Sequence, residues 1–231
     1  MSPADVAVAR LRWEPTHRLV PSRFPPISLF ERVAAAEDLE VVFAIEALTN
    51  PRLRQEAGEI SLVPREERVS GPGSSAVMAA FTHLNPAGSR FTAGRYGVYY
   101  AARRLETAVR EVSHHQGRFL AATREPPIAI DLRCYRAKVR QPLHDIRGAR
   151  DRLPGVYAPD DYAASQAFGA ALREAGSWGV VYDSVRDPGG ECVGIFRPKA
   201  LDRAVQGEHV TLQWNGEAIE AWYVKSDLRR L

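Results

Sequence analysis

The stretch GSRFTAGRYGVYYAARRLETAVRE, Gly88 to Glu111, sets the reading of the chain. It opens in a glycine turn around Arg90, runs through GVYYAA (97–102), and enters a segment with Leu105, Ala108, Val109 and Val112 at helical spacing. That order predicts turn, buried strand and amphipathic helix in succession. With a glycine and a serine before Arg90 and Gly94 after it, the backbone can approach a ligand closely. A guanidinium presents a fork of donors suited to phosphate oxygens. Tyr100, at the far end of the strand, offers a flat ring. Glu111 falls three residues after Ala108 and six after Leu105, close to the buried face of the helix. An acid there is costly without partners, which makes Glu111 a site candidate. A plainer reading leaves Glu111 solvated at the edge of the stripe and Arg90 paired with any nearby acid. These residues alone leave both readings open.

Outward from this core, PIAIDLRCYRAKV (127–139) reads as a strand, and GVVYDSV (179–185) and CVGIF (192–196) as two strands joined by the turn DPGG. HVTLQW and EAIEAWYV form a final hairpin, for which Asn215-Gly216 predicts a two-residue type I′ turn. A helix is expected from PDDY (159–162) to Gly176, with Asp160 as its cap and the glycine as its stop. Upstream, GPGSSA (71–76) turns into a helix through Ala80, and EISLV (59–63) alternates like a strand. Pro21 to Ile27 is a proline-stiffened extended segment, and the apolar spacing from Leu29 suits one or two helices ending before Asn50-Pro51. The first dozen residues are expected to be loosely held. Strands and helices mix without a repeating βαβ rhythm, so the fold class is α+β. The division expected is an N-terminal extension over 1–70, partly helical and packed on a main domain over 71–231.

Of the 231 residues, 45% are apolar and 26% charged, which excludes disorder and supplies a core. The net charge of +3 and a pI near 9.0 are mildly basic. Arginines are spread along the chain without a basic run or an aromatic RNA-binding motif, so no direct nucleic-acid binding is expected. Two cysteines, Cys134 and Cys192, lack metal-ligand spacing and read as buried thiols of a reducing compartment. The beginning lacks a basic leader before an apolar run, and no apolar run nears the ~18 residues that span a bilayer. A cytoplasmic protein with no membrane contact is expected.

Other motifs point less far. GPGSSA offers G-x-G-x-x-A, but the residues before it, PREERVS, are no apolar strand, so a helix-start turn is preferred to a dinucleotide fingerprint. Adjacent histidines such as His114 and His115 project about 100° apart on a helix and do not share a metal. His17 and His83 also lack ligand partners at useful spacing, and no metal site is expected. Ser184 lacks the G-x-S-x-G context of a hydrolase nucleophile. Its hydroxyl at a strand end could bond a sugar or carboxylate, though a turn role is the commoner one.

GSRF, GVYYAA, LETAVRE, and later GVVYDSVR with ECVGIFRP, together resemble the RES domain, named for its arginine, glutamate and serine. The resemblance covers roughly residues 70–200, with its blocks in the family order. It implies an ADP-ribosyltransferase-like fold: a split, mostly antiparallel sheet with flanking helices. It implies an NAD-degrading bacterial toxin that acts as a phosphorylase or glycohydrolase and is paired with an Xre-like antitoxin. The family arginine matches Arg90, the tyrosine Tyr100, the glutamate Glu111 and the serine Ser184, with an early arginine matched to Arg18 in HRLVPSRF. By that resemblance Glu111 stabilises the oxocarbenium-like transition state and Arg90 binds pyrophosphate. Tyr100 stacks on nicotinamide and Ser184 orients the nicotinamide ribose. NAD is then the substrate, inorganic phosphate an acceptor, and no cofactor or metal is needed, since nicotinamide leaves from a ring already cationic. Transfer of ADP-ribose to a protein and a non-catalytic dinucleotide-binding module are the alternatives. The chain departs from the family where Phe91-Thr92 replaces a frequent tryptophan-asparagine pair, and its first seventy residues are longer than those of compact members.

Overall fold

The computed structural model describes residues 5–23 and 58–225. Strand β1 (Val8–Ala9) and strand β2 (Thr16–Pro21) come first, then helix α1 (Ser74–Thr82). Strand β3 (Tyr99–Ala102), helix α2 (Leu105–Thr123), strand β4 (Ile128–Ala137) and strand β5 (Leu143–Asp145) follow. Helix α3 (Ala163–Glu174) leads into strands β6 (Gly179–Asp183), β7 (Glu191–Ile195), β8 (Val205–Trp214) and β9 (Ile219–Val224). The strands form one sheet in the order β1-β5-β6-β7-β3-β2-β4-β8-β9. Every pairing is antiparallel except β5 with β6. The fold is α+β with a mostly antiparallel sheet.

The sheet divides at its middle. β2 pairs with β4 over six residues but with β3 only at His17↔Ala102. On the side of β3 facing β2, beyond that single pair, the Arg18 guanidinium donates from Nη1 to the Tyr100 carbonyl at 3.2 Å. A side chain there supplies the hydrogen bond a neighbouring strand would give, since a buried carbonyl needs a donor.

Alternation along β3 builds two cores. Tyr100 and Ala102 face α2 and α3, together with Leu19, Leu132, Val109, Phe168 and Phe91. Tyr99 and Ala101 face α1, with Val77, Met78, Phe81 and Leu201. Helix α2 forms because its apolar positions recur at helical spacing, and it runs from Leu105 to Thr123. It ends at Arg124 in the left-handed region (φ 52°), whose amide donates back into the last turn.

Four local expectations change. EISLV is no strand: Ile60–Leu62 is a 3₁₀ turn flanked by Pro64, with Arg68 donating to the Val63 carbonyl at 2.9 Å. From residue 5 on, the early chain is held, because β1 pairs with β5 and Val6 is buried in the core. At the start of α3, Asp161 rather than Asp160 accepts the Ala163 amide, at 2.9 Å, while Asp160 turns to cations described below. Gly176, with φ 81°, does stop that helix. The last hairpin uses a longer loop: Asn215 Oδ1 accepts the amides of Glu217 and Ala218, and only Gly216 in it is left-handed, at φ 101°. An Asx turn therefore replaces type I′, in which both central residues need positive φ. The extended segment beyond Arg23 and the helices expected from Leu29 lie outside the described residues. Among the described residues, no helix is long and apolar enough to cross a membrane.

Candidate active site

Residues 88–94 fold into a tight turn closed by Ser89 N to Thr92 O at 2.7 Å and Thr92 N to Ser89 O at 3.3 Å. Phe91 at its tip is fully buried, edge-on to Tyr182 with centroids 5.0 Å apart and stacked beside Tyr100 at 6.3 Å. Helix α3 packs onto this turn so closely that a Cβ at Gly169 would lie 2.3 Å from the Phe91 carbonyl oxygen. The Tyr100 hydroxyl accepts the Phe91 amide at 2.9 Å and bonds the Ser89 hydroxyl at 2.9 Å. Burial keeps that phenol neutral by raising its pKa, against the hydrogen bonds from Ser89 and Phe91. Tyr100 thus fixes the turn that carries Arg90, a task its sequence position alone did not indicate.

Arg90 is buried, with 8% of its surface exposed. Its Nη1 donates to the carbonyls of Val156 and Ala158 at 3.1 and 3.0 Å, and its guanidinium lies over the Tyr162 ring at 4.8 Å. Both of these hydrogen bonds leave from Nη1.

Glu111 projects from α2 toward the turn after β6. Ser184, buried there, donates its hydroxyl to Glu111 Oε1 at 2.6 Å. The same Ser184 oxygen accepts the amides of Arg186 and Asp187 at 3.1 and 2.9 Å. With both acceptor positions filled, the hydroxyl proton is directed to the carboxylate. Ser184 therefore bonds a carboxylate, one of the two partners its strand-end position allowed. The Cys192 thiol approaches the same Oε1 at 3.9 Å.

Arg90 and Glu111 share neighbours. Burial pushes the Tyr182 phenol and the Cys192 thiol well above their ordinary ranges; the Glu111 charge adds to both shifts and the Arg90 guanidinium opposes both. His115 is held below the usual imidazole range by desolvation, with Glu111 pulling upward and Arg186, Arg90 and Arg118 downward. Contacts join Arg90 and Glu111 too: Phe91, next to Arg90, packs on Tyr182 at 5.0 Å, Tyr182 pairs with Cys192 across β6 and β7, and the Cys192 thiol reaches Glu111 at 3.9 Å. Tyr100 belongs to this group through Phe91 and Tyr182, and Ser184 through Glu111.

Arg18 does not join them. It sits over the Tyr99 ring at 4.7 Å, on the sheet face opposite Tyr100, with a pKa lowered by burial. Its position follows from the register Arg18↔Tyr135, which sends Leu19 to the α2 face and Arg18 away from it. There its Nη1 holds the Tyr100 carbonyl at 3.2 Å.

Around the site, Asp160 Oδ1 is shared by Arg186 Nη2 at 3.1 Å, Arg118 Nη1 at 3.6 Å and His114 Nε2 at 3.6 Å. Arg186 Nη2 also donates to the Pro159 carbonyl. The histidine pair lies at this rim, with rings 5.4 Å apart. Among the described residues, no group of three or more His, Cys, Asp or Glu side chains is placed to hold a metal ion. Sequence reading missed Phe91, Tyr162, Tyr182 and Asp187. Of these, Phe91 carried a signal as the departure from the family's tryptophan-asparagine pair, and Asp187 by lying three positions after Ser184 in the same turn.

The family model described as RES domain matches residues 65–215. The y4oC protein of Sinorhizobium fredii (strain NBRC 101917 / NGR234) is 31% identical over 215 residues, which cover 91% of this chain and 87% of that protein. Among solved structures, the crystal structure of the M. tuberculosis MbcT-MbcA toxin-antitoxin complex aligns with a TM-score of 0.41. That alignment has 12% identity and covers 87% of this chain and 86% of the other.

Proposed function

The chain belongs to the RES domain family, and on that premise we propose that it cleaves the nicotinamide–ribose bond of NAD, by phosphorolysis or hydrolysis, as a growth-inhibiting toxin. The observation that carries this reading is the Glu111 carboxylate held by the buried Ser184 hydroxyl at 2.6 Å, in the locality of the buried Arg90.

Arg90 grips the pyrophosphate with the donors not committed to Val156 and Ala158. The Tyr100 ring, half-buried beside the Arg90 turn, stacks on the nicotinamide end. Glu111 faces the ribose and holds its hydroxyls through the carboxylate oxygen that Ser184 does not use. As the bond from C1′ to the nicotinamide nitrogen breaks, the electron pair leaves with nicotinamide, which departs neutral, and positive charge develops on the sugar. A fixed carboxylate beside that charge stabilises the transition state more than the ground state. Water adds at C1′ and loses a proton to give ADP-ribose, or inorganic phosphate adds through an oxygen to give ADP-ribose 1-phosphate. The leaving group is activated by its own charge, which resembles glycoside cleavage without a general acid. Family membership extends the proposal to a cytoplasmic site of action and an Xre-like antitoxin partner.

Nicotinamide release from NAD by the purified protein, with and without phosphate, tests the reading. Release is expected, and Glu111→Gln, which removes the charge with little change of shape, is expected to slow it by roughly a hundredfold or more. A folded wild-type protein that releases no nicotinamide in either buffer refutes the enzyme. A Glu111→Gln variant of undiminished rate reassigns the carboxylate. Growth arrest on induction, relieved by a co-expressed neighbouring helix-turn-helix protein, tests the toxin and its partner.

A further inference from the structure

We propose that Asp187 is a positioning residue, whose carboxylate, held on Thr107, fixes the turn that carries Ser184 and so aims Glu111. Helix α2 presents Thr107 and Glu111 one turn apart on one face. The turn after β6 meets them with two bonds of equal length. Thr107 Oγ1 donates to Asp187 Oδ2 at 2.6 Å, and Ser184 Oγ donates to Glu111 Oε1 at 2.6 Å. Thr107 is fully buried and Asp187 is 7% exposed. The turn closes on itself through Gly190 N to Asp187 O and Ser184 N to Gly190 O, both 2.8 Å.

Asp187 therefore acts on Ser184 twice. Its amide fills one acceptor position of the Ser184 hydroxyl, and its side chain anchors the turn to the helix that bears Glu111. Arg110 and Arg104 also reach its carboxylate, at 3.2 and 3.5 Å, but their side chains are 63% and 58% exposed. Ion pairs so exposed contribute little, whereas a buried hydrogen bond to a carboxylate is among the strong ones. Gly190 permits the contact: a Cβ there would lie 2.6 Å from Asp187 Oδ2 and 2.7 Å from the Thr107 methyl.

The inference rests on Glu111 being the catalytic carboxylate, and the test separates the two. In the full-length protein, Thr107→Val is expected to lower kcat for nicotinamide release about tenfold with KM for NAD changed less than about twofold. Thr107→Ser, which keeps the hydroxyl, is expected to recover most of the rate. Added to Ser184→Ala, Thr107→Val is expected to cost less than about a further twofold, because both changes act through one contact. Additive losses, or a KM effect with kcat intact, overturn the proposal. A crystal structure of Thr107→Val reads the geometry without activity: the Ser184–Glu111 bond is expected to be lost, and its survival overturns the proposal. If that variant fails to fold, Asp187→Ala, which removes the acceptor of the Thr107 hydroxyl, takes its place in both measurements. Should the wild type release no nicotinamide, the catalytic reading falls, and the crystallographic comparison still decides the positioning role.

Discussion

Replacing Ser184 by alanine removes one oxygen from three hydrogen bonds at once. That oxygen donates to Glu111 and accepts the amides of Arg186 and Asp187, all within 3.1 Å. The bond to the carboxylate is charge-assisted and contributes about 1.5–3 kcal/mol. The Asp187 amide is left without an acceptor in a buried turn, at about 1 kcal/mol or more, while the Arg186 amide, on a half-buried residue, can recover water. The sum is about 3 kcal/mol, which in a chain of this length lowers the melting midpoint by roughly 6–12 °C. Catalysis should fall further than stability suggests. With Oε1 released, the Glu111 side chain regains rotamers, and a misplacement near 1 Å costs on the order of a hundredfold in rate. Differential scanning calorimetry and initial rates of nicotinamide release measure the two effects on one preparation. A midpoint within about 2 °C of wild type, together with an unchanged kcat, would show that the hydroxyl neither supports the turn nor aims the carboxylate.

Arg90→Lys keeps the charge but cannot bond the Val156 and Ala158 carbonyls while also offering a fork to phosphate. Its KM for NAD should rise about tenfold or more, with a smaller effect on kcat; an unchanged KM would remove Arg90 from ligand binding. Arg147 ties β5 to β7 by donating to Asp145 at 2.6 Å and to Glu191 at 2.5 Å. Desolvation raises the pKa of both acids, but the hydrogen bonds from Arg147, joined by Arg103 at Glu191, outweigh it and hold both below the ordinary range. A depressed carboxylate pKa stabilises the fold above the unfolded-state value, and that gain is lost as pH falls through the folded value. Arg147→Met should therefore cost about 2 kcal/mol at pH 7. Urea melts should show the gap to wild type closing as pH drops below about 4, and a gap that persists in acid would refute the assignment.

The segment from Gly88 to Glu111 determined by itself that a turn, a strand and an amphipathic helix follow one another, because periodicities of two and 3.6 residues are local properties of the chain. The same local rules located β4, β6, β7 and the last hairpin. The resemblance to the RES domain, which no periodicity supplies, matched Arg90, Tyr100, Glu111 and Ser184 to the family's site residues. Local rules failed where a competing local bond decided: Asn215 caps two amides in place of taking a positive φ, and Pro64 and Arg68 close a 3₁₀ turn where alternation had suggested a strand.

Only the tertiary structure decided which candidates meet. Glu111 and Ser184 are 73 residues apart, and the carbonyls that hold Arg90 lie 66 and 68 residues beyond it. Whether such groups come within hydrogen-bond reach depends on strand register and on how α2 and α3 seat against the sheet, and neither is written in any short window. Arg18 shows the consequence: its residue type suits an anion, but its register with Tyr135 turns it to the other face of the sheet. A shift of one residue along β2 would have reversed that outcome, since neighbouring side chains on a strand point to opposite faces.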